Sequence, residues 1–170
     1  YTPDDDAVKA VIAIHHGMAE HQARYRDFVS FLTSNGFAVY MHDMANHGKS
    51  NNDKNLTGYF GKKDGYKALV KDFDSVVKTA KTDYPDKKLV IMGHSMGSFI
   101  VRCYTAWYPN AGFDGAIYMG TGGSNPIAGV GDFVSSLIAK VTGYKKKVAL
   151  LDKMTFGSYN DKFEKRTAFD

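Results

Sequence analysis

A serine between two glycines, Gly93-His94-Ser95-Met96-Gly97, follows the apolar run Leu89-Val90-Ile91-Met92 and leads into an amphipathic stretch. A hydroxyl at so tight a strand-to-helix turn can act as a nucleophile. The turn holds the serine in a strained backbone region, exposes its Oγ, and sets it at a helix N-terminus that stabilises developing negative charge. Gly93 and Gly97, two positions to either side, keep neighbouring segments from clashing. The plainer reading is a glycine-rich turn with a serine helix cap. The preceding strand and the placing of both glycines favour the nucleophile.

Acyl transfer through a tetrahedral oxyanion needs two backbone N–H donors fixed in advance. Met96, directly after the serine, is placed to give one. The segment Ile14-His15-His16-Gly17-Met18-Ala19-Glu20-His21 follows another apolar run and is placed to give the second through the Met18 N–H, with Gly17 allowing close approach. The plainer readings of His15, His16 and His21 are metal ligands or surface histidines. A zinc site would need further ligands at suitable spacing, and the chain has one cysteine, so no metal is expected. A third segment, Asp43-Met44-Ala45-Asn46-His47-Gly48-Lys49-Ser50, follows a further apolar run. Asp43 is expected to tie down the backbone N–H groups of its own loop rather than to act in a catalytic triad, and His47-Gly48 to shape that loop.

The elements that must carry these residues are short strands alternating with helices. Strands are predicted over residues 8–14, 37–42, 88–92 and 115–119. Each is nearly continuous in hydrophobicity, the pattern of strands buried on both faces. Helical stripes run through Tyr25, Phe28, Val29 and Leu32, through Leu69, Val70, Phe73, Val76, Val77 and Ala80, and through Met96, Phe99, Ile100, Cys103 and Trp107. Asn35-Gly36, Tyr84-Pro85 and Pro109 end them in turn. The fold class is therefore α/β, a mostly parallel sheet with flanking helices. Residues 1–123 are assigned to this core. From Gly122 the texture changes: a loop, a helix predicted over 133–141, a lysine cluster and a polar tail, with no further strand evident.

Hydrophobic residues make up 44% of the 170 and charged residues 24%, an ordinary globular balance. No apolar run approaches the ~18 residues of a membrane span, and the N-terminus has no signal-peptide pattern. The single cysteine, Cys103, excludes an internal disulfide and fits a reducing, cytoplasmic setting. Net charge is +4, but the lysines form local clusters and the aromatics fall at core spacings, so a nucleic-acid partner is not expected.

His16-Gly17-Met18-Ala19-Glu20-His21 with Arg24-Tyr25, then Asp43 with His47-Gly48-Lys49-Ser50, then Gly93-His94-Ser95-Met96-Gly97, together resemble the monoacylglycerol lipase and lysophospholipase branch of the α/β-hydrolase superfamily. Phe156-Gly157-Ser158-Tyr159-Asn160 is similar to cap-region sequence of bacterial relatives. The resemblance implies an α/β-hydrolase fold with the start of a helical cap over 124–170. It implies a serine hydrolase acting on carboxylic esters of a single acyl chain, without a cofactor, with Ser95 as nucleophile and Met18 and Met96 as oxyanion donors. It also allows transient contact of the cap with a membrane surface. Ala45-Asn46 and Ser98 depart from the family's usual Arg-Gly and Gly. An aminopeptidase or acyltransferase on the same fold, or a binding module without catalysis, are the alternatives. By resemblance the triad's acid and base should follow later strands, yet all six histidines lie at or before position 94. The expectation is a chain truncated at both ends, incomplete as a fold, with an unpaired edge on the fourth strand.

Overall fold

The computed structural model describes residues 1–3, 8–61, 63–123, 140, 142, 143 and 145. The chain divides into two compact units, Tyr1–Gly122 and Gly123–Asp170. The cap assigned to 124–170, its helix over 133–141 and the segment 156–160 lie outside the described residues, apart from isolated positions. The first unit holds four strands, β1 (Ala10–His15), β2 (Phe37–Met41), β3 (Leu89–His94) and β4 (Gly115–Met119). Between them run α1 (Arg26–Ser34), α2 (Gly65–Asp83) and α3 (Met96–Trp107). All strand pairs are parallel, in the order β2-β1-β3-β4.

Alternation along each strand divides the core in two. Val11 and Ala13 of β1, Ala38 of β2, and Leu89 and Ile91 of β3 join a cluster with Leu69, Phe73 and Val77 of α2 and Ile100, Val101 and Tyr104 of α3. Ile12 and Ile14 of β1, Val39 of β2 and Met92 of β3 turn the other way, onto Val29 and Leu32 of α1 and onto Tyr25. A sheet with helices on both faces needs strands that are apolar throughout, which is why these strands do not alternate between apolar and polar residues. Full burial of a side chain the size of Phe73, which is 0% exposed, is worth about 2–3 kcal/mol.

Two expectations are corrected. The apolar stripe foreseen for α3 is turned: Phe99 and Trp107 are 44% and 43% exposed, and the buried face is Gly97, Ser98, Ile100, Val101 and Tyr104. The cause is local. Gly97 lies against the carbonyl oxygens of His15 and His16, where no side chain fits, so the small residues face the sheet and the large aromatics face out. Trp107 packs its ring on Tyr66 instead, 5.8 Å between centroids. The second correction concerns β4. Among the described residues it is the outer strand, and Ile117, Tyr118 and Met119 are exposed, so it is not buried on both faces.

The chain leaves β1 toward β2 on one side, then returns across β1 to place β3 on the other. The crevice between the C-terminal ends of β1 and β3 is therefore the point where the direction of winding reverses. Open parallel sheets bind ligands there.

Candidate active site

Ser95 stands at that crevice, between the end of β3 and the first residue of α3. Its φ of 52° and ψ of −120° lie in a region that L-residues with a side chain rarely adopt. The strain is held by the main chain. The Ser95 N–H donates to Met119 O at 2.9 Å, and Ser95 O accepts from the Ser98 N–H at 2.9 Å and from Ser98 Oγ at 2.5 Å. A Cβ on Gly93 would collide with Gly97 O and with the Ser98 Cα 2.7 Å away. Gly97 is bounded in turn by the end of β1. These contacts bring Gly93, Ser95, Met96 and Gly97 together as one compact turn.

The segment after β1 passes beside this turn. A Cβ built on Gly17 would lie 3.2 Å from Ser95 Cβ, so the backbone at Gly17 runs directly alongside the serine. Met18 itself is 41% exposed. His16 is fully buried, and its two nitrogens have fixed roles. Nδ1 faces Gly17 O at 2.8 Å and must donate, because a carbonyl only accepts, while Nε2 accepts the Met44 N–H at 2.9 Å. The ring is therefore neutral, and burial lowers its pKa in agreement with that tautomer. His15 is likewise buried and pushed down to about 3 by burial, then by His42 beside it. Neither is a surface histidine, which corrects the plainer reading of this pair; His21 is exposed.

Asp43 is buried after β2. Its Oδ1 accepts the Gln22 N–H at 2.7 Å and its Oδ2 the Lys49 N–H at 2.8 Å. Burial alone would raise the Asp43 pKa, but those two N–H bonds outweigh it and hold the carboxyl below its ordinary value. His47 turns Nδ1 to Ala45 O at 3.1 Å and stacks on Phe60, 5.5 Å between centroids. Among the described residues neither Asp43 nor any histidine hydrogen-bonds Ser95 Oγ, and no group of three or more His, Cys, Asp or Glu is placed to hold a metal ion.

One cluster has no counterpart in the sequence reading. Glu20 Oε1 accepts from the Gly17 N–H at 2.5 Å, from Tyr25 Oη at 2.8 Å and from His94 Nδ1 at 2.9 Å, while Oε2 pairs with Arg24 at 3.1 Å. The i,i+4 spacing of Glu20 and Arg24 was readable. The approach of His94, 74 positions away, was not. The cluster opens onto a cavity of about 270 Å³ whose lining is Glu20 and Arg24 at a charged edge with Tyr25, Phe28, Met92, His94 and Met119, largely apolar.

A doubly wound parallel sheet, a strained serine between β3 and α3, and a second loop crossing beside it define the α/β-hydrolase fold. The family described as serine aminopeptidase, S33, matches residues 6–166, and the chain belongs to that family. The monoacylglycerol lipase of Mycolicibacterium smegmatis is 32% identical over 152 residues, covering 88% of this chain and 49% of that protein. A monoglyceride lipase homolog of Monkeypox virus is 38% identical over 92 residues, covering 54% of this chain and 31% of that one. The solved structure of a thermostable carboxyl esterase from Bacillus coagulans, in complex with glycerol, is 29% identical with a TM-score of 0.78, covering 99% of this chain and 54% of the esterase. The chain thus spans about half the length, or less, of these proteins. No helix among the described residues is long and apolar enough to cross a membrane.

Proposed function

We propose that Ser95 is the nucleophile of a carboxylic ester hydrolase acting on esters of a single acyl chain, monoacylglycerols or lysophospholipids. The observation that carries this is Ser95 held at φ 52° beside the backbone at Gly17, strain that a mere helix cap would not need. Ser95 Oγ bonds to the ester carbonyl carbon while its proton passes to a base. The carbonyl oxygen takes the negative charge and accepts the Met18 and Met96 N–H groups. Collapse breaks the bond to the alkoxy oxygen, which leaves with the proton as an alcohol, and water then frees the acyl group from Ser95. His16, Gly17, Asp43, His47, Gly93 and Gly97 support this geometry without touching the reacting atoms.

The lipase names of the relatives and the apolar lining from Phe28, Met92 and Met119 support the substrate class. The reading includes no cofactor, a cytoplasmic setting, and transient contact with lipid surfaces where substrate resides. Within these 170 residues no histidine follows Ser95, and none that is described reaches Oγ. A polypeptide of these residues alone is therefore expected to turn over esters slowly, since loss of a triad base costs several powers of ten in rate. The test is a panel of monoacylglycerols, lysophospholipids, short soluble esters and aminoacyl peptides, run on the protein carrying this chain and on its Ser95→Ala form. Preference for long-chain monoacyl esters, lost in Ser95→Ala, is expected. Preference for peptides or short esters, or activity surviving Ser95→Ala, would overturn the reading.

A further inference from the structure

We propose that Glu20 is the positioning residue of the oxyanion site, its carboxylate joining the loop after β1 to the residue before Ser95 and so setting the spacing of the Met18 and Met96 N–H groups. The inference rests on the roles given above to Ser95, Met18 and Met96. Those two donors belong to segments far apart in the chain, and both must lie about 2.7–3.1 Å from one developing oxyanion. Some contact must hold the two segments in register. Glu20 Oε1 is one atom that accepts from the loop, through the Gly17 N–H, and from the elbow, through His94 Nδ1. Its side chain is 3% exposed, so water does not compete for these bonds. Tyr25 and Arg24 fill the remaining positions on the carboxylate, leaving it little freedom to turn.

Peptide planarity carries the effect to Met18. The Gly17 N–H bond to Glu20 fixes the His16–Gly17 peptide plane, and the His16 Nδ1–H bond to Gly17 O fixes the next one. In a trans peptide the C=O and N–H point in opposite directions, so a fixed Gly17 O aims the Met18 N–H the other way. Burial alone would raise the Glu20 pKa, but hydrogen bonds from His94, Gly17 and Tyr25 outweigh it and keep the carboxyl below its ordinary value. Glu20 is thus ionised at neutral pH and can receive all three donors.

The variants are Glu20→Gln and Glu20→Asp, assayed beside Ser95→Ala in the protein carrying this chain. Gln can still set its oxygen toward Gly17, Tyr25 and His94, but it loses the charge that strengthens those bonds and turns an NH2 onto the Arg24 guanidinium, which also donates; Asp keeps the charge but is one methylene too short to reach both Gly17 and His94. Both are expected to lower kcat about 10- to 100-fold while KM changes less than about threefold, because an oxyanion donor acts in the transition state. In the unaltered protein the Gly17 amide proton is expected far downfield in the NMR spectrum, moving upfield as Glu20 is protonated below the ordinary carboxylate range. Wild-type kcat in Glu20→Gln, with Ser95→Ala dead, would overturn the positioning role and leave the hydrolase reading intact. So would a loss that tracks only the unfolded fraction, or a rise in KM at constant kcat. Activity surviving Ser95→Ala would instead remove the nucleophile and this inference with it. If neither Glu20 variant folds, the Gly17 resonance decides, and its absence from the downfield region refutes the proposal.

Discussion

The two segments that meet at Ser95 are held in opposite ways. The elbow between β3 and α3 is shaped by the backbone itself: two glycines in close contact, a main-chain bond from Ser95 to Met119, and a helix beginning at Met96. The loop after β1 is shaped by side chains from elsewhere. His16 reaches the Met44 N–H, Asp43 reaches the Gln22 N–H, and Glu20 reaches His94. Backbone packing tolerates no added atom, whereas side-chain clamps can be loosened by degrees. Substitutions in the elbow should therefore act abruptly, and those in the loop gradually.

The largest effect expected is from Gly97→Ala. Its Cβ meets the carbonyl oxygens of His15, the last residue of β1, and of His16 just beyond it; the first cannot move without breaking the sheet, and the expected loss is about 3 kcal/mol or more. Gly17→Ala is the matched control in the loop. There the nearest atom is Oε1 of Glu20, at 2.6 Å, a side-chain atom whose displacement strains its hydrogen bonds but leaves the sheet intact. Its stability cost should be smaller by at least half. Chemical denaturation of the two variants checks this, and equal losses would erase the distinction between the segments.

Asp43→Asn comes next and addresses the side-chain clamps. The amide keeps one acceptor but turns an NH2 toward either the Gln22 or the Lys49 N–H, leaving one buried donor unpaired. The expected cost is about 1–3 kcal/mol, with faster hydrogen exchange at one of those two amides and no change at Ser95. Protection unchanged at both amides would mean that the loop is held by something other than Asp43.

What could be read from the sequence follows the same division. Gly93, Ser95 and Gly97 lie within five positions, so their turn was visible as a pattern, and so were the four strands and three helices around it. Asp43 stood next to the loop it binds, and its bond to Lys49 is local. The Glu20–His94 contact was invisible because it depends on β1 and β3 being neighbours, a fact of topology rather than spacing. The buried face of α3 was misjudged for a related reason. Hydrophobic periodicity favoured Phe99 and Trp107, while the packing of Gly97 against β1 decided the rotation of the helix.

His15 lies where the two segments touch, and acid should loosen that contact. Its folded pKa is about 3 because burial disfavours the charged ring, whereas in the unfolded chain it is near 6.5. Between those values the unfolded state binds more protons. The stability His15 contributes is thus complete above about pH 6.5, and falls by roughly 1 kcal/mol per pH unit below it until about pH 3. His16 and His42 are lowered by burial in the same direction and should steepen the fall. Denaturation at pH 7, 6 and 5 measures the slope. A flat profile would show that these rings are not held neutral in the folded protein.

The smallest effect is the most direct test of strain at the elbow. Ser95→Ala and Ser95→Gly both remove the hydroxyl, so both should abolish turnover, and they differ only in backbone freedom. At φ 52°, ψ −120° an alanine Cβ is strained as the serine Cβ is, while glycine adopts the conformation freely. Strain of this kind costs about 1–3 kcal/mol, and glycine's greater unfolded-state entropy returns about 0.4–1 kcal/mol of any gain. Ser95→Gly should therefore be more stable than Ser95→Ala by about 1 kcal/mol. At an unstrained position the order reverses, because alanine is then favoured by entropy alone. An alanine variant as stable as the glycine variant would mean that the elbow carries no strain, and Ser95 would read as a helix cap rather than a nucleophile held out for chemistry.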